Sequence, residues 1–320
     1  MDILVNNETS QLKDVLIGNS YNFKSPINFR DLYDPTSLMN YLKGKYPIKY
    51  RLQNQLLKLK KTLIKHDITV HELDIVDTNQ IFSRDLGFVI DDIFFLSSII
   101  PDRELELKGL NSVLKKINKI VKLPKSAHIE GGDVVVDKEH VFIGYYGKND
   151  YKNQITARTN KKAIKIIKDK LVNKEIFPIE LIKSSLSPTL NALHLDCCFQ
   201  PISKNKAVIC KEAFANKIEL NFLISYFGDQ NIFEITLKEM SRLYCNFFSI
   251  NENTVVTDKR FTRLIRWFKE IGLNVEKVDF SEISKLGGLF RCCTLPLRRE
   301  KNKKLGILDS SRCRLSDTRY

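Results

Sequence analysis

With 320 residues, 43% of them hydrophobic and 28% charged, the chain has the apolar material for a large buried core, in one big domain or two ordinary ones. No run of about 18 uncharged apolar residues is present, which argues against a membrane-spanning helix, and the opening Met-Asp-Ile-Leu-Val-Asn-Asn-Glu lacks the basic-then-apolar pattern of a cleaved secretory signal. The net charge of +14 raises nucleic-acid binding, but the lysines are spread along helix-like segments such as 51–66 and 161–174, as on a solvated face, so nucleic acid is not the expected partner.

The elements follow a recurring order of strand, turn, strand, amphipathic helix and strand. The first unit has a strand over Leu12–Gly18, a helix over Arg51–His66 with Leu52, Leu56, Leu59 and Leu63 on one face, and a strand over Thr69–Leu73. The second has Gly87–Ile90 and Ile93–Ser97 joined at Asp91-Asp92, then a helix over Glu104–Val121. The third has His128–Val136, His140–Tyr145, a helix over Lys161–Val172, and Ile176–Ile182. The fourth runs Leu190–Phe199, Ala207–Cys210, a helix over Glu212–Phe227, and Ile232–Thr236. The fifth runs Cys245–Ile250, Thr254–Thr257, a helix over Asp258–Ile271 capped by Asp258, and Asn274–Val278. A last strand, Leu289–Leu297, has no helix after it. Five such units and a closing strand predict a radial α/β repeat over residues 1–297, with a basic extension over 298–320; an open α/β sheet is the plainer arrangement of the same elements.

Seven cysteines, Cys197, Cys198, Cys210, Cys245, Cys292, Cys293 and Cys313, are an odd number with two adjacent pairs and no zinc-knuckle spacing. They read as thiols of a reduced, cytoplasmic interior rather than as a disulfide framework. Taken singly, each is most simply a small buried apolar residue.

Four places put polar residues where a core strand would not: Phe82-Ser83-Arg84-Asp85, His128-Ile129-Glu130-Gly131-Gly132-Asp133, Leu193-His194-Leu195-Asp196, and Gly287-Gly288-Leu289-Phe290-Arg291-Cys292-Cys293-Thr294. Each lies at the first strand of its unit or at the closing strand. First strands of a radial repeat converge on the axis, which places Asp85, Glu130, His194, Asp196 and Cys292 around one cavity. Several buried carboxylates need a cation to offset them, and a guanidinium, with its planar set of N–H donors, supplies one.

These four motifs, in this order over about Leu12 to Leu297, resemble the guanidino-group-modifying superfamily of arginine deiminases, dimethylarginine dimethylaminohydrolases and amidinotransferases. The resemblance implies a five-bladed pseudo-symmetric α/β-propeller of ββαβ units, the pentein fold. It implies Cys292 as nucleophile, His194 as general acid/base and Glu130 as its acidic partner, with Asp85 and Asp196 holding the guanidinium. Arg158 falls where relatives meet a substrate carboxylate, and Arg103 and Asn79 at positions reminiscent of other carboxylate and amine contacts. The activity implied is an amidine hydrolase releasing ammonia or an alkylamine from arginine or a methylated arginine through an S-amidino-cysteine, without metal or cofactor. An amidinotransferase passing the amidino group to an acceptor amine is the alternative, and a basic nucleic-acid-binding protein on the same fold is the rival of another class. The expected partner is a small guanidino compound, with a homodimer left open.

Smaller readings complete the expectation. Cys197, Cys198 and Cys293 read as core, and His128 as core or as support for Glu130. Asp133 reads as a turn cap or an arginine partner. The polar, aromatic loop 145–157 and the long link 21–47 are both candidates to cover the cavity.

Overall fold

In the computed structural model, which describes residues 1–301, the amphipathic segments form helices that join the second and third strands of small sheets. Five three-stranded sheets result, each with its first two strands antiparallel and its third parallel to the second. The second blade is Gly87–Ile90, Ile93–Leu96 and Ile120–Lys122, and the third is Val134–Asp137, His140–Tyr145 and Glu175–Glu180. The fourth is Phe199–Ile202, Lys206–Ile209 and Ile232–Glu234, and the fifth is Phe248–Asn251, Thr254–Asp258 and Asn274–Val278.

The end of the described chain completes the first blade. Thr294–Arg299 lies antiparallel to Leu12–Ile17, with Leu16 opposite Leu295 and Ile17 opposite Thr294, and Thr69–Glu72 lies along the other side of Leu12–Ile17. Pairing the last strand with the first closes the ring and removes the open edge that an unclosed sheet would expose. The architecture is the five-bladed pseudo-symmetric α/β-propeller expected from the sequence.

The local reasons are those the pattern suggested. Lys49–Lys65 buries Leu52, Leu56, Leu59 and Leu63 and turns Lys58, Lys61 and Lys65 to solvent. Each such leucine contributes about 1.5–3 kcal/mol of transfer free energy on burial. The hairpins turn at Asp91 and Lys138, whose φ values of 51° and 60° are those a tight antiparallel turn needs. Among the described residues no helix is long and apolar enough to cross a membrane.

Several expectations change. The helix over Glu104–Val121 is instead a 3₁₀ run, Pro101–Leu110, one α turn, Asn111–Leu114, and then the strand Ile120–Lys122. The β-branched Ile120 and Val121 pair there with Phe94 and Phe95. The motif segments do not continue their strands. They are 3₁₀ turns just before them: Ser83–Leu86, Gly131–Asp133 and Leu195–Cys197. Asp258 ends a strand and does not cap the next helix, Thr262–Glu270; its carboxylate accepts from the Arg260 and Phe280 amides and from the Arg260 guanidinium. The closing strand reaches Arg299, so Arg298, paired with Asp14 at 2.7 Å, and the buried Arg299 belong to the propeller. Beyond Lys301 the basic extension, with Cys313, lies outside the described residues.

Candidate active site

The 3₁₀ turns place the polar side chains at one end of the axis, and each turn is fastened to its neighbour. Asp133 accepts from the Leu195 amide at 2.9 Å and from the Thr159 hydroxyl at 2.6 Å, which ties the Glu-Gly-Gly-Asp turn to the His-Leu-Asp turn. Ser83 donates to the Leu16 carbonyl, and the Arg84 amide to the Cys292 carbonyl at 3.0 Å. At Gly132 a Cβ would stand 2.7 Å from Cγ and Nδ1 of His194, so the absence of a side chain is what lets the imidazole lie against this turn.

His194 is wholly buried between two carboxylates. Its Nε2 meets Glu130 Oε2 at 2.9 Å, and its Nδ1 stands 3.7 Å from Asp85 Oδ1. Burial works against the imidazolium, but Asp85, the Glu130 hydrogen bond and Asp133 outweigh it and raise the pKa. Burial likewise opposes the Glu130 carboxylate, yet Arg158 and His194 hold it well below the usual range. Arg158 Nη1 contacts both Glu130 oxygens, at 3.0 and 3.2 Å.

Arg103, from the run Pro101–Leu110, clasps Glu106 at 2.7 and 2.9 Å and donates to Asp85 Oδ2 at 2.8 Å. Burial pushes Glu106 up, but this two-pronged contact is that of an ion pair. Asp85, Glu106 and Glu130 thus face Arg103, Arg158 and His194, whose charged form Asp85 and Glu130 favour. Asp85 Oδ1 is buried without a hydrogen-bond donor.

Cys292 lines the same cavity, a space of about 120 Å³ bordered also by Phe82, Asp85, Leu193 and His194. Its thiol is pushed well above the usual range by burial, by Asp196 and by Asp85. Asp196 is placed behind it, with Oδ2 3.9 Å from the sulfur and 2.9 Å from Arg291 Nη1. Arg291 in turn holds Glu8 at 2.9 Å, and burial's cost to Glu8 is overcome by Arg291 and Arg84, which bring its pKa down to about 2.

One neighbour of the thiol is absent from the sequence expectation. Asn246 Oδ1 accepts from the Leu289 and Cys292 amides, at 3.1 and 3.2 Å, which orients the amide so that Nδ2 donates to Cys292 Sγ at 3.2 Å. The residue sits in the turn before the first strand of the fifth blade. A rule that such turns carry the site would have picked it out, had a strand not been expected from Cys245.

The link 21–47 does cover the cavity, contributing Asp31–Asp34, Ser37 and Tyr46 to its wall. The loop 145–157 does not line it; there Tyr151 stacks on His128 and Gln154 binds Ser185. The three residues expected to meet the rest of a substrate line the cavity, with the polar groups of Arg103 and Asn79 already engaged and those of Arg158 engaged except Nε, which is buried without a partner. Arg103 is held as described, and Arg158 Nη2 donates to the Tyr33 carbonyl at 2.8 Å. Asn79 pairs with both backbone groups of Lys24, at 2.8 and 3.1 Å. Of the thiols expected in the core, Cys197, Cys198 and Cys293 are buried.

A metal ion could bridge ligand atoms of Asp85, Glu130 and His194, which lie within 4.8 Å of one another. The two arginines and the imidazolium already neutralise that cluster, which weakens its claim on a further cation.

Comparison with known proteins agrees with this architecture. SxtG, an amidinotransferase from Microseira wollei, superposes with a TM-score of 0.74 at 16% identity, covering 93% of this chain and 98% of that one. The N-terminal domain of ArgZ, an arginine dihydrolase from Cyanobacteria, gives 0.74 at 19% identity, covering 89% and 98%. At these identities the likeness is one of fold. In sequence, the Bacillus subtilis protein YkgA is 31% identical over 245 residues, 76% of this chain and 78% of its own. Residues 45–299, about four-fifths of the chain, match the family described as N,N dimethylarginine dimethylhydrolase, eukaryotic. A match of that extent, on a propeller that brings Cys292, His194 and Asp85 to one cavity, makes the chain a member of this family within the guanidino-group-modifying superfamily.

Proposed function

We propose that the protein is an amidine hydrolase that acts on the guanidinium group of arginine or an Nω-methylated arginine, giving citrulline and ammonia or an alkylamine. The observation that carries this reading is the convergence, on one cavity, of a thiol, an imidazolium and a carboxylate oxygen without a donor: Cys292, His194 and Asp85 Oδ1. Electrostatics support it. A guanidinium entering beside Cys292 brings a positive charge that favours loss of the thiol proton to solvent. Binding of the substrate thereby creates the nucleophile.

The guanidinium donates to Asp85 and is held for attack, with Asp196 behind the sulfur. Cys292 sulfur bonds to the guanidinium carbon, and the His194 imidazolium gives its proton to the departing nitrogen as that C–N bond breaks. A planar S-amidino-cysteine remains. His194, now neutral and oriented by Glu130, takes a proton from water as the oxygen adds to the carbon. The C–S bond then breaks, leaving the ureido product and, after proton uptake, the thiol. Leu193 and Phe82 give the cavity an apolar wall beside these charged groups.

The test is incubation of the full chain with arginine, Nω-methylarginine and Nω,Nω-dimethylarginine, with and without glycine as acceptor, scoring citrulline and the amine released. The hydrolase gives citrulline without acceptor and none in Cys292→Ala or His194→Ala. Ornithine formed only with the acceptor overturns hydrolysis in favour of transfer. Turnover persisting in folded Cys292→Ala overturns the mechanism.

A further inference from the structure

A second buried cluster of charge lies behind the cavity. Arg84, Arg291 and Arg299 are all buried, at 4%, 0% and 1% exposure, and act electrostatically on one another and on Glu8. Arg291 is the compensated member, bound to Glu8, to Asp196 and to the Val134 carbonyl. The other two are not compensated. Arg84 Nε reaches only the Arg291 carbonyl, at 3.4 Å, and its Nη2 has no acceptor. Arg299 donates to the carbonyls of Ser10 and Ser249, at 2.6 and 2.8 Å, and its Nε has no acceptor.

Among the described residues no carboxylate lies within ion-pairing distance of Arg84 or Arg299, so three guanidiniums in this cluster face two carboxylates, Glu8 and Asp196. Burial and the neighbouring Arg291 bring Arg84 down to about 9, and burial brings Arg299 down to about 10, the direction of cations short of counter-charge. The surroundings are rich in unused donors. Ser10 and Ser249, whose carbonyls hold Arg299, also bury hydroxyls without partners, and Arg291 Nε has none. A water molecule would satisfy such donors but leave the surplus charge in a low-dielectric interior; a small anion answers both.

We propose that the propeller interior binds one monovalent anion of the halide class, against the Nε edge of Arg299 and the hydroxyls of Ser10 and Ser249, with Arg84 supplying the unpaired charge. The site is separate from the catalytic cavity, since none of these four residues lines that space. The excess of one guanidinium over the two carboxylates calls for a single negative charge.

Crystals of the full chain grown in sodium bromide test this directly. The expected result is an anomalous bromide peak within about 3.5 Å of Arg299 Nε; no peak there, or density behaving as water, overturns the proposal. In solution, thermal unfolding is compared in chloride, bromide and gluconate at fixed ionic strength. A halide-specific, saturable rise of roughly 2–4 °C at tenfold excess over the dissociation constant is expected, absent in Arg84→Met and Arg299→Met. A midpoint that follows ionic strength alike in gluconate overturns it. Should either variant fail to fold, the bromide map of the unaltered chain decides.

Discussion

Asn246 Nδ2 donates a hydrogen bond to Cys292 Sγ at 3.2 Å, while the same side chain's oxygen holds the Cys292 amide at 3.2 Å. The fifth blade thus grips the thiol and its backbone together, across 46 residues of sequence. Since Asp196 also stands 3.9 Å from the sulfur, the thiol has both a donor and an anion as neighbours. The donor favours thiolate and the anion opposes it.

Replacing Asn246 with Ala removes the donor and leaves Asp196. A hydrogen bond to a charged group is worth about 1.5–3 kcal/mol, so kcat/KM of Asn246→Ala falls about 10- to 100-fold. Cys292 alkylation by an uncharged reagent shifts to higher pH in the same variant. Steady-state kinetics and the alkylation profile check both; unchanged alkylation would mean that Asn246 holds only the backbone.

The pH behaviour of the thiol carries its own expectation. With no ligand, burial, Asp196 and Asp85 keep Cys292 protonated through neutral pH, so alkylation climbs with pH and does not level off in the neutral range. A guanidinium compound too short to be turned over adds a positive charge beside the sulfur, which favours the thiolate. The profile then moves to lower pH, in the direction of thiolate at neutral pH. A profile unaffected by saturating guanidinium would sink the substrate-assisted route proposed above.

Much of this site is legible in the sequence because each motif breaks an apolar pattern at the same place in its blade. Asp85, Glu130, His194 and Cys292 stand out for that reason. Asn246 does not, since it lies among Tyr244, Cys245 and Phe247, a stretch that reads as the start of a buried strand. Glu8 is equally hidden; its partner Arg291 is 283 residues away, and such a pairing leaves no periodic mark. The engagement of Arg158 with Tyr33, 125 residues apart, is silent for the same reason. The fold is legible through its amphipathic helices, whereas the strand Ile120–Lys122, read as the end of a helix, follows the one blade connection that lacks a long α-helix, and the strand read at Leu190–Phe199 lies at Phe199–Ile202.

Gly132 offers a test of placement without removal of any polar group. A methyl there would sit 2.7 Å from two atoms of the His194 ring, and His194 is too enclosed to step aside freely. Gly132→Ala therefore displaces the imidazole from Glu130 and lowers kcat by about 100-fold or more, the scale of a lost general acid/base. A variant that unfolded at the normal temperature but turned over slowly fits this picture; full activity would show that the ring tolerates the shift.

Acid stability reports on Glu8. Its folded pKa, about 2, is depressed from the ordinary 4.5 by Arg291 and Arg84 against the opposing effect of burial. A depressed carboxylate stabilises the fold above its unfolded pKa, and that contribution is lost as pH falls from about 4.5 through about 2. The difference corresponds to about 3 kcal/mol. Glu8→Gln keeps the shape but leaves Arg291 with Asp196 alone, so at pH 7 it is less stable than the parent. Between pH 4.5 and 2 the parent loses stability faster, and the two curves converge. Denaturant titrations of both proteins across that range measure the gap; curves that stay parallel would show that Glu8 does not hold the axial arginines by its charge.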